Sequence, residues 1–303
     1  MKADFLEPTT LDEAVALLSQ YADGAKVIAG GTALVLMLQQ RLVAPAALIS
    51  LGRIPGWDFI RREADGLHVG ALTRLRAAER SSVVSEFCPA LAHAFAVVGN
   101  VRVSHQATVG GNLAEADYAS DPPAMLLALD ARVNAVGPNG KRQIPLSDFF
   151  LGFYTTALAV DEILSEVVIP PLPASSRAVY LKYTSRSSED RPCVGVAAVA
   201  DIDESGRCRD LRVAVGAAVE TPQRVPKAEA MARDELLAED LIGAIADEYA
   251  RSLDPLSDAR GSAWYRREMI RVFVRRALKR VGARPALSGA EGPAPTVVHD
   301  GHR

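Results

Sequence analysis

Two glycine pairs are the features of this 303-residue sequence best suited to chemistry. The first lies in Val27-Ile28-Ala29-Gly30-Gly31-Thr32-Ala33-Leu34, where a short apolar run gives way to a helical pattern. Glycines let a backbone turn sharply and approach a ligand, and the free N–H groups after such a turn can hold an anion. Only Lys26 supplies positive charge close by in sequence, so an anion there is held mainly by amide dipoles. The competing reading is a plain strand-to-helix turn that needs two small residues. The second pair lies in Thr108-Val-Gly110-Gly111-Asn112, which adds a hydroxyl and a carboxamide. Nine residues after Asn112 comes Asp121, a carboxylate able to accept hydrogen bonds from sugar hydroxyls. Two such loops about eighty residues apart suit an extended dinucleotide with its diphosphate clamped between them. Neither matches G-x-G-x-x-G or the Walker P-loop, which excludes a Rossmann or kinase-type site.

The elements that must position these loops follow from hydrophobic period and end signals. Thr10 is a helix N-cap with Glu13 as capping-box partner, and Leu11, Val15 and Leu18 share one face of the helix. A strand at 26–29, a turn at 30–32, a helix at 33–42 and a strand at 47–51 complete a first α/β unit. A second unit over 56–173 begins with a strand at 66–72 and one or two helices over 75–98, broken near Pro89. The glycine-bearing loop 107–113 follows, then a helix over 121–129 with prolines in its first turn. A hairpin around Gly-Pro-Asn-Gly at 137–140 and a strand at 163–169 complete it. Pro170, Pro171 and Pro173 mark a boundary. Strands at 178–183, 194–202 and 211–217, then helices at 227–253 and 262–281, predict a C-terminal α+β domain with a three-stranded sheet. The expected division is 1–55, 56–173 and 174–283, with 284–303 a disordered tail poor in large apolar groups.

Composition removes several function classes. Thirty-four Lys and Arg against 37 Asp and Glu give a net charge of −3, without the basic excess of a nucleic-acid binder. Cys88, Cys193 and Cys208 are far apart and form no C-x-x-C pair, which argues against a disulfide scaffold or a zinc or iron–sulfur centre within this chain. The N-terminus is charged and interrupted by Pro8, and no apolar run approaches a membrane span, so the expectation is a cytoplasmic protein.

The ordered set of motifs resembles the FAD-binding medium subunit of molybdenum hydroxylases, the family of xanthine dehydrogenase and aerobic carbon monoxide dehydrogenase. The resemblance runs over about residues 2–282. It rests on Ala29-Gly-Gly-Thr-Ala33 and Ala107-Thr-Val-Gly-Gly-Asn112, with support from Asp121-Pro-Pro-Ala-Met-Leu-Leu-Ala-Leu-Asp130, Asp148-Phe-Phe-Leu-Gly, Tyr154-Thr-Thr-Ala-Leu158 and Asp258-Ala-Arg-Gly-Ser-Ala-Trp-Tyr-Arg-Arg267.

The resemblance implies an α+β chain: a two-subdomain, vanillyl-alcohol-oxidase-like (PCMH-type) domain holding noncovalent FAD, then the smaller C-terminal domain. It assigns the diphosphate to Val27, Ile28, Ala29, Gly30, Gly31, Thr32, Ala33 and Leu34 together with Gly110 and Gly111. Thr108, Asn112 and Asp121 would reach the diphosphate and sugar hydroxyls, with Leu164 and Lys182 near the flavin or adenine rings. A cation such as Lys182 near the ring edge stabilises an anionic reduced flavin. Glu115 stands where relatives often carry His or a small polar residue. The implied role is an electron-transfer subunit. A partner large subunit would carry molybdopterin and a small subunit [2Fe–2S] clusters, in a trimer or dimer of trimers, and FAD would pass electrons to an external acceptor. No catalytic residue and no metal ligand is expected in this chain. The alternatives are a free-standing FAD-dependent oxidoreductase and a non-redox nucleotide-binding scaffold subunit. His105 lies in an expected loop, and the sequence leaves open whether it contacts the cofactor; His68 and His93 read as structural or surface residues. The basic run Arg266, Arg267, Arg271, Arg275, Arg276, Lys279 and Arg280 reads as a solvated face with ion pairs.

Overall fold

The computed structural model describes residues 3–187 and 189–283, so the expected tail lies outside the described residues. The chain opens with β1 (Asp4–Leu6), α1 (Leu11–Tyr21), β2 (Ala25–Ile28), α2 (Leu34–Gln39) and β3 (Ala47–Ser50), and its strands form a parallel sheet in the order β1-β3-β2. Thr10 caps α1, its Oγ1 accepting from Glu13 N–H at 3.2 Å. The Glu13 carboxylate returns to the N–H of Thr9 at 2.8 Å, one residue earlier than a capping box places it. Ala14, Val15 and Leu18 of α1 share a core with Ala47, Ile49 and Leu51. The second helix is shorter than expected, because the chain turns left-handed at Arg41 (φ 57°).

A second sheet combines β4 (Ile60–Glu63), β5 (Gly66–Gly70), β6 (Arg132–Gly137), β7 (Gly140–Pro145) and β10 (Ile163–Ile169) in the antiparallel order β4-β5-β10-β6-β7, with a small hairpin of β8 (Phe150–Gly152) and β9 (Thr155–Thr156) beside it. Six helices connect β5 to β6: α3 (Leu75–Arg80), α4 (Ser82–Phe87), α5 (Pro89–Ala96), α6 (Val101–Gln106), α7 (Val109–Glu115) and α8 (Pro122–Ala128). Residues 75–98 thus form three helices rather than one or two, since Ser81 caps a new helix through Val84 N–H and Cys88–Pro89 starts another. The expected glycine loop at 107–113 is a second correction. It is mostly the helix α7, which Thr108 caps by accepting from Gly111 N–H at 3.1 Å. Tertiary packing overrides the poor helix propensity of glycine here. His105 lies in the last turn of α6, exposed, rather than in a loop.

The third sheet has the long strands β11 (Ser176–Tyr183), β12 (Val194–Ile202) and β13 (Arg207–Gly216), extended beyond three by β14 (Gln223–Arg224) and β15 (Glu235–Leu236) on β13. The helix expected at 227–253 is two, α9 (Pro226–Ala230) and α10 (Glu239–Ser252), because the chain turns at Asp234 (φ 61°) and pairs 235–236 with β13. The last helix is α11 (Ala263–Gly282). Strand β12 is covered on both faces, which explains its uninterrupted apolar run. Its Ala197 and Val199 join Tyr180, Leu91, Phe95 and Met125 in one core, while Val196, Ala198 and Ala200 pack with Tyr249, Ile270 and Leu278 in another. The third sheet is therefore a shared wall between α5/α8 and α10/α11.

The basic face of α11 is largely paired: Arg267 with Asp254, Arg271 with Asp247 and Glu268, and Arg275 and Lys279 with Glu239. Arg266 departs from the solvated-face expectation. It is fully buried, with Nη2 2.5 Å from Asp258 Oδ1 and Nη1 donating to the carbonyl of Ala217. No helix among the described residues is long and apolar enough to cross a membrane.

Candidate cofactor site

The first glycine segment leaves β2 and enters α2. The backbone N–H groups of residues 29–34 donate to no acceptor among the described residues. The carbonyls of Ile28, Gly31 and Ala33 are used, by the N–H groups of Leu51, Val35 and Met37. Gly31 sits at φ +71°, the left-handed turn that aims successive amides to one side. Backbone donors of this kind need partners, and all of residues 27–34 are half-buried.

The fold brings the second segment against the first. A Cβ on Gly30 would stand 2.1 Å from the carbonyl oxygen of Gln106 and 3.0 Å from Cα of Ala107, so the turn between α6 and α7 touches the Gly30 backbone. A Cβ on Gly111 would lie 3.9 Å from Cβ of Ala29. The α6–α7 turn is held by the segment after β5: Leu75 N–H donates to Ala107, Val109 N–H to Thr73 and Gly110 N–H to Ala71, each at 2.9 Å.

The two segments nevertheless differ in what they offer. The amides of Val109, Gly110, Gly111 and Asn112 all have acceptors within the chain, so the amide-rich character expected of the second loop is already used. Gly110 is a packing glycine, with Ala71 Cβ 2.5 Å from where its own would be. Thr108 is buried as the cap of α7, and the Asn112 carboxamide meets Ser120 Oγ through both Nδ2 (2.8 Å) and Oδ1 (3.0 Å). Of the two segments, the one whose amides lack acceptors among the described residues is 29–34.

Asp121 and Lys182 come from positions 61 apart in sequence and form a buried ion pair, Nζ to Oδ2 at 3.0 Å. Tyr180 donates to Asp121 Oδ1 at 2.8 Å, and Lys182 also donates to the carbonyl of Val97 at 2.7 Å. Burial pushes the Asp121 carboxyl up to about 6, against the Lys182 ammonium and the Tyr180 hydroxyl, which favour its ionised form. The Lys182 charge thus has a carboxylate partner inside the protein, which the sequence reading did not anticipate. Leu164 is buried in the core of the second sheet, at a bulge in β10. Among the described residues, neither Asp121 nor Lys182 is hydrogen-bonded to a glycine segment.

Glu115, at the end of α7, is carried by burial first and by Asp117 second to about 7, with Arg191 opposing. Asp117 itself is buried and paired with Arg191 at 2.7 Å. Because the Glu115 value is raised, the folded state favours its protonated form, and stability falls as pH rises from its ordinary 4.5 through about 7. Glu115→Gln removes that loss. The variant is expected to be more stable than the parent by about 2 kcal/mol at pH 8 and nearly equal to it at pH 5. Denaturant titrations at both pH values check this, and equal stability at pH 8 contradicts it.

His68 is structural: it lies between Asp65 (3.0 Å) and Glu166 (3.4 Å). A recess of about 440 Å³ bounded in part by Leu127, Phe150, Pro222 and Arg224 contains none of the predicted site residues.

Comparison with known proteins identifies the family. Residues 1–172 match the family model of the FAD binding domain in molybdopterin dehydrogenase, and residues 179–281 that of the CO dehydrogenase flavoprotein C-terminal domain. The chain is 35% identical to the 6-hydroxypseudooxynicotine dehydrogenase complex subunit alpha of Paenarthrobacter nicotinovorans, over 91% of this chain and 93% of that protein. Among solved structures it resembles carbon monoxide dehydrogenase from Hydrogenophaga pseudoflava (TM-score 0.90, 32% identity, 93% of this chain and 97% of the other). Quinoline 2-oxidoreductase from Pseudomonas putida 86 is similar too (TM-score 0.87, 28% identity, 93% and 97%). With two domain models covering nearly all of the described residues, and a relative 35% identical over most of both chains, the chain belongs to the FAD-binding medium subunits of the molybdenum hydroxylases.

Proposed function

We propose that this chain is the electron-transfer subunit of a heterotrimeric molybdenum hydroxylase. It would take electrons from [2Fe–2S] clusters of a small partner subunit and deliver them to an external acceptor, while a molybdopterin-binding large subunit oxidises the substrate. The observation that supports this most is the run of unbonded amides at 29–34, pressed at Gly30 against the α6–α7 turn. A flavin supplies the chemistry this position in a relay requires, because it accepts electrons singly and releases them singly or in pairs.

The residues of this chain bind, orient and enclose. The amides of residues 29–34 and the turn at Gly31 would hold the diphosphate, with Gly111 of α7 close to Ala29, and Thr108 and Asn112 keep α7 in place through its cap and Ser120. The Asp121–Tyr180–Lys182 cluster ties α8 to the third sheet, and we assign Asp121, Leu164 and Lys182 to the deeper lining of the cofactor cleft. We divide the chain into 1–55 and 56–173, which close around the cofactor, and 174–283, which covers them. On this reading the organic substrate is oxidised in the large subunit and not by this chain alone.

The test is anaerobic flavin absorbance. Co-expression with partner subunits should yield a complex with about one FAD per copy of this chain, bleached by the organic substrate, whereas the isolated chain with the same substrate stays yellow. Bleaching of the isolated chain at the rate of the complex would replace this reading by a free-standing FAD oxidoreductase. A complex without flavin would replace it by a scaffold.

A further inference from the structure

We propose that Arg74 is the cation that contacts the diphosphate of FAD; this inference rests on the function proposed above. Arg74 is far in sequence from either glycine segment and is brought to them by the fold. It forms an isolated antiparallel bridge with Thr108, the cap of α7. Its Nη1 donates to the carbonyl of Gln106. That carbonyl is the group against which the Gly30 backbone packs, so the guanidinium stands beside the turn whose amides are free.

The electrostatics of the two segments point the same way. Residues 24–50 and 98–113 contain no Asp or Glu, while they carry Lys26, Arg41, Arg102 and His105. Arg74 makes no ion pair among the described residues, in contrast to Arg76 two positions on, which pairs with Glu79 at 2.6 Å. A guanidinium has five donors and a charge that burial in part of a cleft makes costly to leave uncompensated. One donor goes to Gln106, and the others suit phosphate oxygens in a planar fork. The competing role is purely structural, in which Arg74 satisfies a carbonyl left open at the C-terminal end of α6.

Arg74→Gln separates these roles, because a carboxamide retains a donor for the Gln106 carbonyl and loses the charge. The experiment titrates flavin-stripped full-length chain with FAD across a series of KCl concentrations, for the parent, Arg74→Gln and Arg74→Lys, with melting temperature as the check on folding. The expected result is a parent-like melting temperature and FAD affinity roughly 10- to 100-fold weaker in Arg74→Gln. The difference should narrow as KCl rises, and Arg74→Lys, which restores the charge but not the planar fork, should recover part of the affinity. Parent-like affinity in Arg74→Gln overturns the proposal. So does a loss that is the same at every salt concentration and unrepaired by lysine, which would leave Arg74 as a brace. A parent chain that takes up no FAD at all would instead defeat the cofactor reading on which the proposal rests.

Discussion

Gly30→Ala is expected to abolish FAD retention. The added methyl would sit 2.1 Å from the carbonyl oxygen and 2.8 Å from the carbonyl carbon of Gln106, and neither backbone atom can rotate aside. The β2–α2 turn and the α6–α7 turn must therefore separate, which disperses the amides of residues 29–34 and moves the Gln106 carbonyl. The overpacking itself costs about 1–3 kcal/mol of stability. Gly31→Ala makes the contrasting control. Its Cβ would lie 3.3 Å from the side chains of Ile28 and Val35, which can shift, and its left-handed backbone (φ +71°) costs an alanine about 1 kcal/mol. The flavin-to-protein absorbance ratio after purification should be near zero for Gly30→Ala and reduced for Gly31→Ala. A Gly30→Ala protein with full flavin content would show that the contact with Gln106 is not part of the site.

Asp258→Ala is expected to destabilise the protein by about 3–5 kcal/mol, the cost of leaving a buried charge without its partner. Arg266 is fully buried and has Asp258 as its carboxylate partner, and Asp258 also accepts from Tyr118 (2.8 Å) and pairs with Arg260 (2.6 Å). Through Tyr118 this cluster fastens the segment after α7 to the loop before α11, so the loss falls on the contact between the FAD-binding part and the C-terminal part. Replacing Arg266 with Met in the same protein should return part of the stability, since the stranded charge is then absent. Denaturant unfolding of the single and double variants measures both effects, and a loss under about 1 kcal/mol for Asp258→Ala would place the interaction among weak surface pairs. The same cluster carries a pH dependence. Burial works against the Asp258 carboxylate, but the Tyr118 hydroxyl, the Arg260 N–H and the Arg266 guanidinium outweigh it and hold its pKa well below the usual carboxylate range. Its stabilising contribution is therefore complete above the ordinary 3.8 and is lost as pH falls below about 4 toward the depressed value.

Much of this protein was determined by short stretches of sequence. Thr10 with Glu13, the prolines at 122 and 123, and Gly-Pro-Asn-Gly at 137–140 placed a cap, a helix start and a hairpin, because those signals act between residues a few positions apart. The 27–34 turn was legible for the same reason: a strand, two glycines and a helix read as one local object. The order of the motifs along the chain was enough to indicate the family.

What tertiary structure decided were the partners of each group. Residues 107–113 look like a loop until Ala71 packs on Gly110 and Thr73 accepts from Val109, which turns glycine from a helix breaker into the only residue that fits. Asp121 reads as a carboxylate without partners until β11 delivers Tyr180 and Lys182 to it. Arg266 looks like one more solvated arginine until the loop before α11 places Asp258 against it. Arg74 carries no sign in the sequence that it will lie beside Gly30. Local propensity depends on neighbours in the chain, whereas charge pairing and close backbone approach depend on which distant segments the sheets hold together, and that information exists only in the folded topology.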